Sequence, residues 1–360
     1  MEVDELQSAL DPYLGQEIDL PSVLDRCVGN VINLTLFNKR FQKGQRDEFA
    51  HLKSLIDGMR DITSEFRYFI QYLVPWTSKV IPGPTLAETV KEKRALLDQF
   101  FNEQIEEHRK TIDFEQVENS DFVEAYLKEQ RKRERDGDIE TFCNKQLTAM
   151  CFDLWIAGHL TTTMTLTRFL TAIAVNNLLV SYYLHNPDVK KKIQIELGVV
   201  IGESRLITTA DKNNLPYISA FLAETQRCAN IIPLNLMHMT TRDTVIDGFE
   251  IPKATGVIAQ ISTVMTDEKV FPDPYCFNPE RFIDENGKFK KCEQVIPFSI
   301  GKRQCLGEGL ARMELFLFFA NLFHRYDISP GKEGLPCLDK SKDNFVLPRK
   351  FNAVLVRRHS

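Results

Sequence analysis

The sequence predicts a mainly α-helical protein carrying one small β element. Three observations lead there. Glycine and proline are sparse up to Pro75, so little interrupts helical runs over that length. Long helix-like segments follow, from Leu86 to His108, Leu154 to Leu184 and Leu306 to Phe323. One stretch, "TTRDTVIDGFEIPKATGVIAQIST" from Thr240, gathers β-branched residues around two turn signals. Hydrophobic residues make up 43% of the 360, enough for a large core.

In chain order, "PWTSKVIPGPT" (Pro75 to Thr85) is the first clear break, with three prolines and a glycine. A polar helix is expected next, from Leu86 to His108. "YLKEQRKRERDGDIE" carries a mixed charge run, Lys128 to Glu140, that suits a solvated helix end and loop. The apolar run from Leu154 to Leu184 admits two readings. Phe169 to Asn186 has no formal charge and is just long enough for a membrane span. Asn176 and Asn177 in mid-run, Arg168 before it and a crowd of threonines suit a buried central helix instead. A helix resumes at "DVKKKIQIEL". The β element has a turn at Asp247-Gly248 and a second near Lys253. A proline-rich loop, "FPDPYCFNPERF", runs from Phe271 to Phe282. The last helix, Leu306 to Phe323, is apolar nearly all round and so expected inside.

The formal charge of −5 argues against a nucleic-acid binder. Eight cysteines occur without a C-x-x-C pair, which fits reduced thiols better than a disulfide framework. The amino end, "MEVDELQSALDPYLG", lacks the basic start and apolar centre of a signal peptide.

The chemistry concentrates in "PFSIGKRQCLGEGLARMELF", Pro297 to Phe316. A thiolate is a strong iron ligand and electron donor. Holding one needs positive potential, which a helix amino terminus and nearby cations supply. Cys305 is expected directly before a helix, with Lys302 and Arg303 preceding it. Gly301 and Gly307 would let backbone pass close to a flat cofactor, and Phe298 could cover the sulfur.

Phe298, Gly301, Arg303, Cys305 and Gly307 spell F-x-x-G-x-R-x-C-x-G, which resembles the haem-binding loop of the cytochrome P-450 family. Further stretches follow in the family's order. "ETQR" supplies E-x-x-R as Glu224 and Arg227, and "NPERF" supplies Arg281. "AGHLTT" resembles the oxygen-binding helix, with Ala157, Gly158 and Thr161 in register. "LMHMTTRDTVIDGFEIPKAT" resembles its strand region, and "FNKRF" and "PWTSKVIPGP" resemble its animal microsomal branch. The resemblance runs from about Val31 to the carboxyl end.

That resemblance implies a single cytochrome P-450-like domain over residues 1–360, incomplete at its amino end, that holds haem b. Cys305 would be the axial ligand of the iron. Arg303 and His238 would meet the haem propionates. Glu224, Arg227 and Arg281 would form a buried ion network bracing the cysteine loop. Thr161 would help pass protons to dioxygen. The implied enzyme is a monooxygenase, an oxidoreductase acting on a small apolar substrate with electrons from NADPH through a flavoprotein reductase. Lys288, Lys290, Lys291, Lys302 and Arg303 would form a local basic face to steer that acidic partner. The location implied is the cytoplasmic face of the endoplasmic reticulum. Contact with a membrane surface is allowed, but this chain has no anchor segment.

Three departures qualify the resemblance. The family's large amino-terminal part is absent, and neither Trp76 nor Trp155 stands where its haem-contacting tryptophan would. The residue before Thr161 is Leu160 where relatives carry an acid. The stretch from Thr161 to Pro187 exceeds relatives by about ten residues, an extra ~15 Å of helix, near "RFLTAIAVNN". Two alternatives therefore stand beside the monooxygenase. One is a haem-thiolate isomerase or dehydratase that needs no proton relay; the other is a truncated, non-enzymatic product.

Overall fold

Helices dominate the computed structural model, which describes residues 2–41, 48–56, 70–71, 75–80, 83–171, 187–203, 205–230, 232–332, 334 and 352–358. Residues 172–186 lie outside these, and with them most of the candidate span Phe169 to Asn186, the later part of the apolar run and most of the excess stretch. The chain divides into two units, residues 3–24 with 162–360 and residues 25–161 with Glu2.

The 25–161 unit is helical. It holds most of α2 (Leu20–Phe37), α3 (Leu86–Thr111), α4 (Phe122–Arg135) and α5 (Asn144–Thr171) up to Thr161; α1 (Glu2–Leu10) belongs with the other unit. Helix α3 starts where the proline-glycine break ends. The Thr85 hydroxyl accepts the Glu88 N–H at 3.2 Å, and Glu88 Oε2 accepts the Thr85 N–H at 2.8 Å. Two orphan amides are thus satisfied by each other's residues. Phe37, Phe101 and Phe152 pack ring against ring between α2, α3 and α5.

Helices α2 and α5 approach closely. A Cβ on Gly158 would stand 2.5 Å from Ile32 Cδ1, and one on Gly29 would stand 2.6 Å from Phe49 Cε2. No side chain fits either place without moving its neighbour.

Among the described residues, the other unit mixes helices with three small sheets. Besides α1 and the end of α5, it holds α6 (Pro187–Val200), α7 (Pro216–Ala229), the short α8 (Ile261–Met265) and α9 (Glu308–Arg325). Strand β1 (Glu17–Ile18) pairs with β7 (Ala353–Arg357), which pairs with β6 (Tyr326–Pro330). Strand β2 (His238–Met239) pairs with β5 (Gly256–Val257), and β3 (Thr244–Ile246) with β4 (Phe249–Ile251), all antiparallel. The β3–β4 turn is Asp247-Gly248, with φ of 51° and 83°, the left-handed pair a two-residue hairpin requires. The turn near Lys253 places Ala254 at φ 64°. Helix α9 is interior over its second half: Leu315, Phe316, Phe318, Phe319, Leu322 and Phe323 are buried.

Helices α3 and α4 are joined by a titratable contact. His108, near the end of α3, places Nε2 2.8 Å from Oδ2 of Asp121, the amino-terminal cap of α4, and Nδ1 3.2 Å from the Gln104 carbonyl oxygen. Both ring nitrogens face acceptors, so the doubly protonated ring satisfies both. The Asp121 bond raises the His108 pKa, against the opposing effect of burial. A raised folded-state pKa contributes stability that is full below the unfolded value and is lost as pH rises through the folded one. The expected outcome is that His108→Phe destabilises the protein more at about pH 5 than at about pH 9, the unfolded value being near 6.5. Urea midpoints of both proteins at the two pH values check this; an equal gap at both would remove His108 as the cause.

Candidate functional site

The cysteine loop is shaped by two residues in the left-handed region, Ser299 at φ 63° and Gly301 at φ 85°. Backbone bonds close it: Ser299 N–H to Ile296 O at 2.9 Å, Gln304 N–H to Gly301 O at 3.1 Å and Cys305 N–H to Phe298 O at 2.9 Å. Cys305 emerges exposed. The helix does not begin beside it as expected. Leu306 and Gly307 make a further turn, and α9 starts at Glu308 with Gly307 as its cap. Leu306 has no helical partner on its amino side to hold it, and it is 90% exposed.

The space around the loop suits a flat group. No heavy atom comes within 4 Å of the place a Cβ would take at Gly301, Gly307 or Gly309. Ile300 and Leu306 expose apolar side chains in the loop, as Leu236 and Met237 do in the segment leading to β2. Asn235 Nδ2 donates to Ser299 Oγ at 3.0 Å and ties that segment to the loop. His238 and Arg303 are both exposed. A lone thiol, open ground over glycines, uncovered apolar side chains and two basic groups fit an iron macrocycle with an apolar face and an anionic edge. Lys288, Lys290, Lys291 and Lys302 are likewise exposed.

Behind the loop lies α7, buried along most of its length. Glu224 is 0% and Arg227 1% exposed. Arg227 Nε and Nη2 donate to the Glu224 oxygens at 2.7 and 2.8 Å, and Nη1 donates to Met265 O at 2.9 Å. The Asn278 N–H donates to Glu224 Oε1 at 2.8 Å. Arg281 Nε lies 3.4 Å from the same oxygen, and its Nη2 donates to Asp273 O at 2.9 Å. Burial opposes the charge on Arg227, but the bonds to Glu224 outweigh it and raise its pKa. The adjacent Cys228 thiol is pushed up by burial. The structure thus brings Glu224, Arg227 and Arg281 together, and their bonds reach residues 265 to 278.

The cysteine loop is reached by another route, through residues the sequence did not single out. Gln226, between the network's glutamate and arginine, accepts from Arg312 Nη1 at 2.9 Å. Arg312 Nε donates to Glu308 at 2.8 Å, and its guanidinium sits 4.9 Å over the Phe298 ring. Ala220 and Ala223 also pack with Phe271 and Phe282, against which Cys292 and Val295 lie. The Glu308–Arg312 spacing is visible in sequence as an i,i+4 pair; nothing local marks Gln226 or Asn278.

Thr161 belongs to the other unit, where its hydroxyl donates to the Ala157 carbonyl one turn back in α5. His159 is buried: its Nε2 lies 2.9 Å from Asp25 Oδ1, and its ring stacks near Trp155 and meets Phe49 edge-on. Lys53 also bonds Asp25. Burial pushes the Asp25 carboxyl up, but His159 and Lys53 outweigh it and hold it at about 2. Leu160 is helical, with its side chain outside the described residues. Trp76 is exposed and Trp155 buried in this helical unit.

Removing one member of a buried ion network costs ~3–5 kcal/mol, because the charge left behind loses its compensation. Arg227→Leu removes three donors from the interior and Arg281→Leu a more peripheral one. Both are expected to lower the unfolding midpoint and the haem retained, Arg227→Leu more. Chemical denaturation with haem quantitation checks the ranking; wild-type values in both would exclude a buried network.

The profile of the family described as Cytochrome P450 matches residues 1–356. The chain is 35% identical over 329 residues to Cytochrome P450 2J2 of Homo sapiens, covering 91% of this chain and 62% of that protein. It is 36% identical over 328 residues to Cytochrome P450 2D3 of Rattus norvegicus, with the same coverage of 91% and 62%. Cytochrome P450 18a1 of Drosophila melanogaster is 34% identical over 365 residues, 99% of this chain and 65% of the relative. The chain therefore spans a little under two thirds of the length of these relatives. A match that runs through both units, together with a cysteine loop and a buried glutamate–arginine network, makes this chain a member of the cytochrome P450 family.

Proposed function

We propose that this chain belongs to a haem-thiolate monooxygenase that inserts one atom of dioxygen into a small apolar substrate and reduces the other to water. The observation that carries this reading is Cys305, exposed at the end of a loop that Ser299 and Gly301 turn and that leaves open ground over its glycines. Haem b, when bound, supplies an iron that activates dioxygen, and thiolate ligation favours O–O cleavage. Cys305 holds that iron. Arg303 and His238 neutralise the propionates, Gly301 and Gly307 admit the ring, and Phe298 shields the sulfur from water. Thr161 handles protons. The match through both units supports reading residues 1–360 as one domain.

Electrons come from NADPH through a flavoprotein reductase, steered by the exposed cations from Lys288 to Arg303. The relatives' family branch supports the cytoplasmic face of the endoplasmic reticulum as the location. Among the described residues, no helix is long and apolar enough to cross a membrane.

A second reading has an observation of its own. Position 160 is leucine, which neither donates nor accepts a proton, and the Thr161 hydroxyl is engaged by the helix backbone. An isomerase or dehydratase acting on an oxidised lipid needs no proton relay. Turnover with a reductase separates the two, since only the monooxygenase consumes NADPH in proportion to product.

Reducing the haem-loaded chain under carbon monoxide is expected to give a thiolate-type absorption band, and Cys305→Ser to abolish it. A thiolate-type band in the mutant would sink the assignment of the ligand. Leu160→Glu is expected to raise the product formed per NADPH consumed, since a positioned acid–base group is typically worth ~10²–10⁴-fold. His159 is committed to Asp25, so His159→Ala is expected to change stability rather than coupling. If coupling is unmoved by Leu160→Glu and abolished by His159→Ala, protons travel through the histidine.

A further inference from the structure

We propose that Arg312 is a positioning residue for the thiolate loop, holding the Phe298 ring, and through Phe298 the Cys305 backbone, against helix α7. Its consequence at iron rests on the haem-thiolate reading; its geometry does not.

Three contacts place Arg312. Its Nε donates to Glu308 one turn back in α9, its Nη1 donates to Gln226 on α7, and its guanidinium carbon lies over the Phe298 ring, 4.9 Å from the centroid. Arg312 and Glu308 keep about a third of their side chains in solvent, at 33% and 32%, so the ion pair alone holds little. Gln226 is different, at 6% exposure. Its buried carbonyl oxygen has Arg312 as donor, and losing that donor leaves a desolvated acceptor unpaired. A planar guanidinium can bond in its plane and stack through its face at once, which a lysine ammonium cannot.

Phe298 links Arg312 to the cysteine. Its carbonyl oxygen accepts the Cys305 N–H at 2.9 Å, so the residue whose ring Arg312 clamps is also the residue that pins the cysteine. Consecutive residues of α7 divide the work. Arg227 ties the helix to Met265, and Gln226 ties it to Arg312 and so to the loop.

The test uses the whole chain with Arg312→Met, which keeps length but loses charge and donors, and Gln226→Met, which severs the α7 contact alone. Amide hydrogen exchange is read for two segments, 298–305 and 265–281. In both variants exchange of the first is expected to quicken by roughly three- to tenfold, the scale of a lost cation–π contact or buried hydrogen bond, with the second unchanged. Arg312→Lys is expected to fall between wild type and Arg312→Met. In the haem-loaded ferrous–CO complex, the ratio of thiolate-type to thiol-type band is expected to fall by a similar factor per haem bound. Equal quickening in both segments would reduce Arg312 to a general stabiliser, and no quickening in either would remove it from the loop; both overturn the proposal. If wild-type protein shows no thiolate-type band, the haem reading falls, and the exchange comparison still decides whether Arg312 positions the loop.

Discussion

One carboxylate removed from water, that of Glu224, sets terms for the elements around it. A buried charge of this kind is tolerable only when its lone pairs are met by donors fixed in place. Arg227 supplies two, the Asn278 amide a third, and the Arg281 guanidinium stands close by. The donors come from two separated stretches of the chain, α7 itself and residues 278–281, so each stretch must be held where the carboxylate needs it. Helix α7 is therefore buried and polar at once. Ser219 and Thr225 turn their hydroxyls back to Leu215 and Phe221 carbonyls, and Gln226 takes Arg312, so its buried polar groups find partners without opening the helix to water.

The division of labour along α7 explains how a loop with few packing contacts of its own can stay ordered. Cys305, Leu306 and Gly307 are exposed, and the glycines have open space beside them. Such a loop gains no rigidity from burial. It gains it from backbone bonds within the loop, from the Asn235–Ser299 bond on one side and from the Arg312–Phe298 contact on the other. The buried network and the open loop are thus complementary: order is generated where water is excluded and delivered to a surface that must remain accessible.

What could be read from the sequence was local. The Asp247-Gly248 hairpin follows from two residues that accept positive φ, and the α3 start from the proline-glycine break that ends at Thr85. The residues of the E-x-x-R, NPERF and cysteine motifs were legible as patterns, and Arg227 and Arg281 do meet at Glu224. The start of α9 was misplaced because Leu306 continues the apolar pattern, while Gly307 accepts the cap position and delays the first helical residue. Contacts between distant positions left no trace in any window. Gln226 and Arg312 are eighty-six residues apart. Asp25, Lys53 and His159 each look like surface residues in isolation, yet Asp25 and His159 pair in the interior beside Trp155, and half-buried Lys53 reaches the same carboxylate. Placing His159 toward Asp25 also shows why adjacent helix positions cannot exchange roles: neighbours on a helix differ in direction by about 100°.

The small sheet that joins β1 to β7 carries a consequence for how the protein comes into being. Strand β1 is two residues long and pairs with β7, far along the chain, and Asp11 bonds both Tyr326 and Arg357, the latter 346 positions away. A ribosome delivers the later partner 346 residues after the earlier one. The early segment must wait, without its strand or its ion partners, until the residues between them have emerged. Loop-closure entropy grows only slowly with length, so the delay costs little at equilibrium. In time it is large: at synthesis rates of about 5–20 residues per second, the early segment spends tens of seconds unpartnered. Closure of this sheet therefore comes long after its first strand is made, and shielding of that segment in the interval becomes part of what a cell must provide.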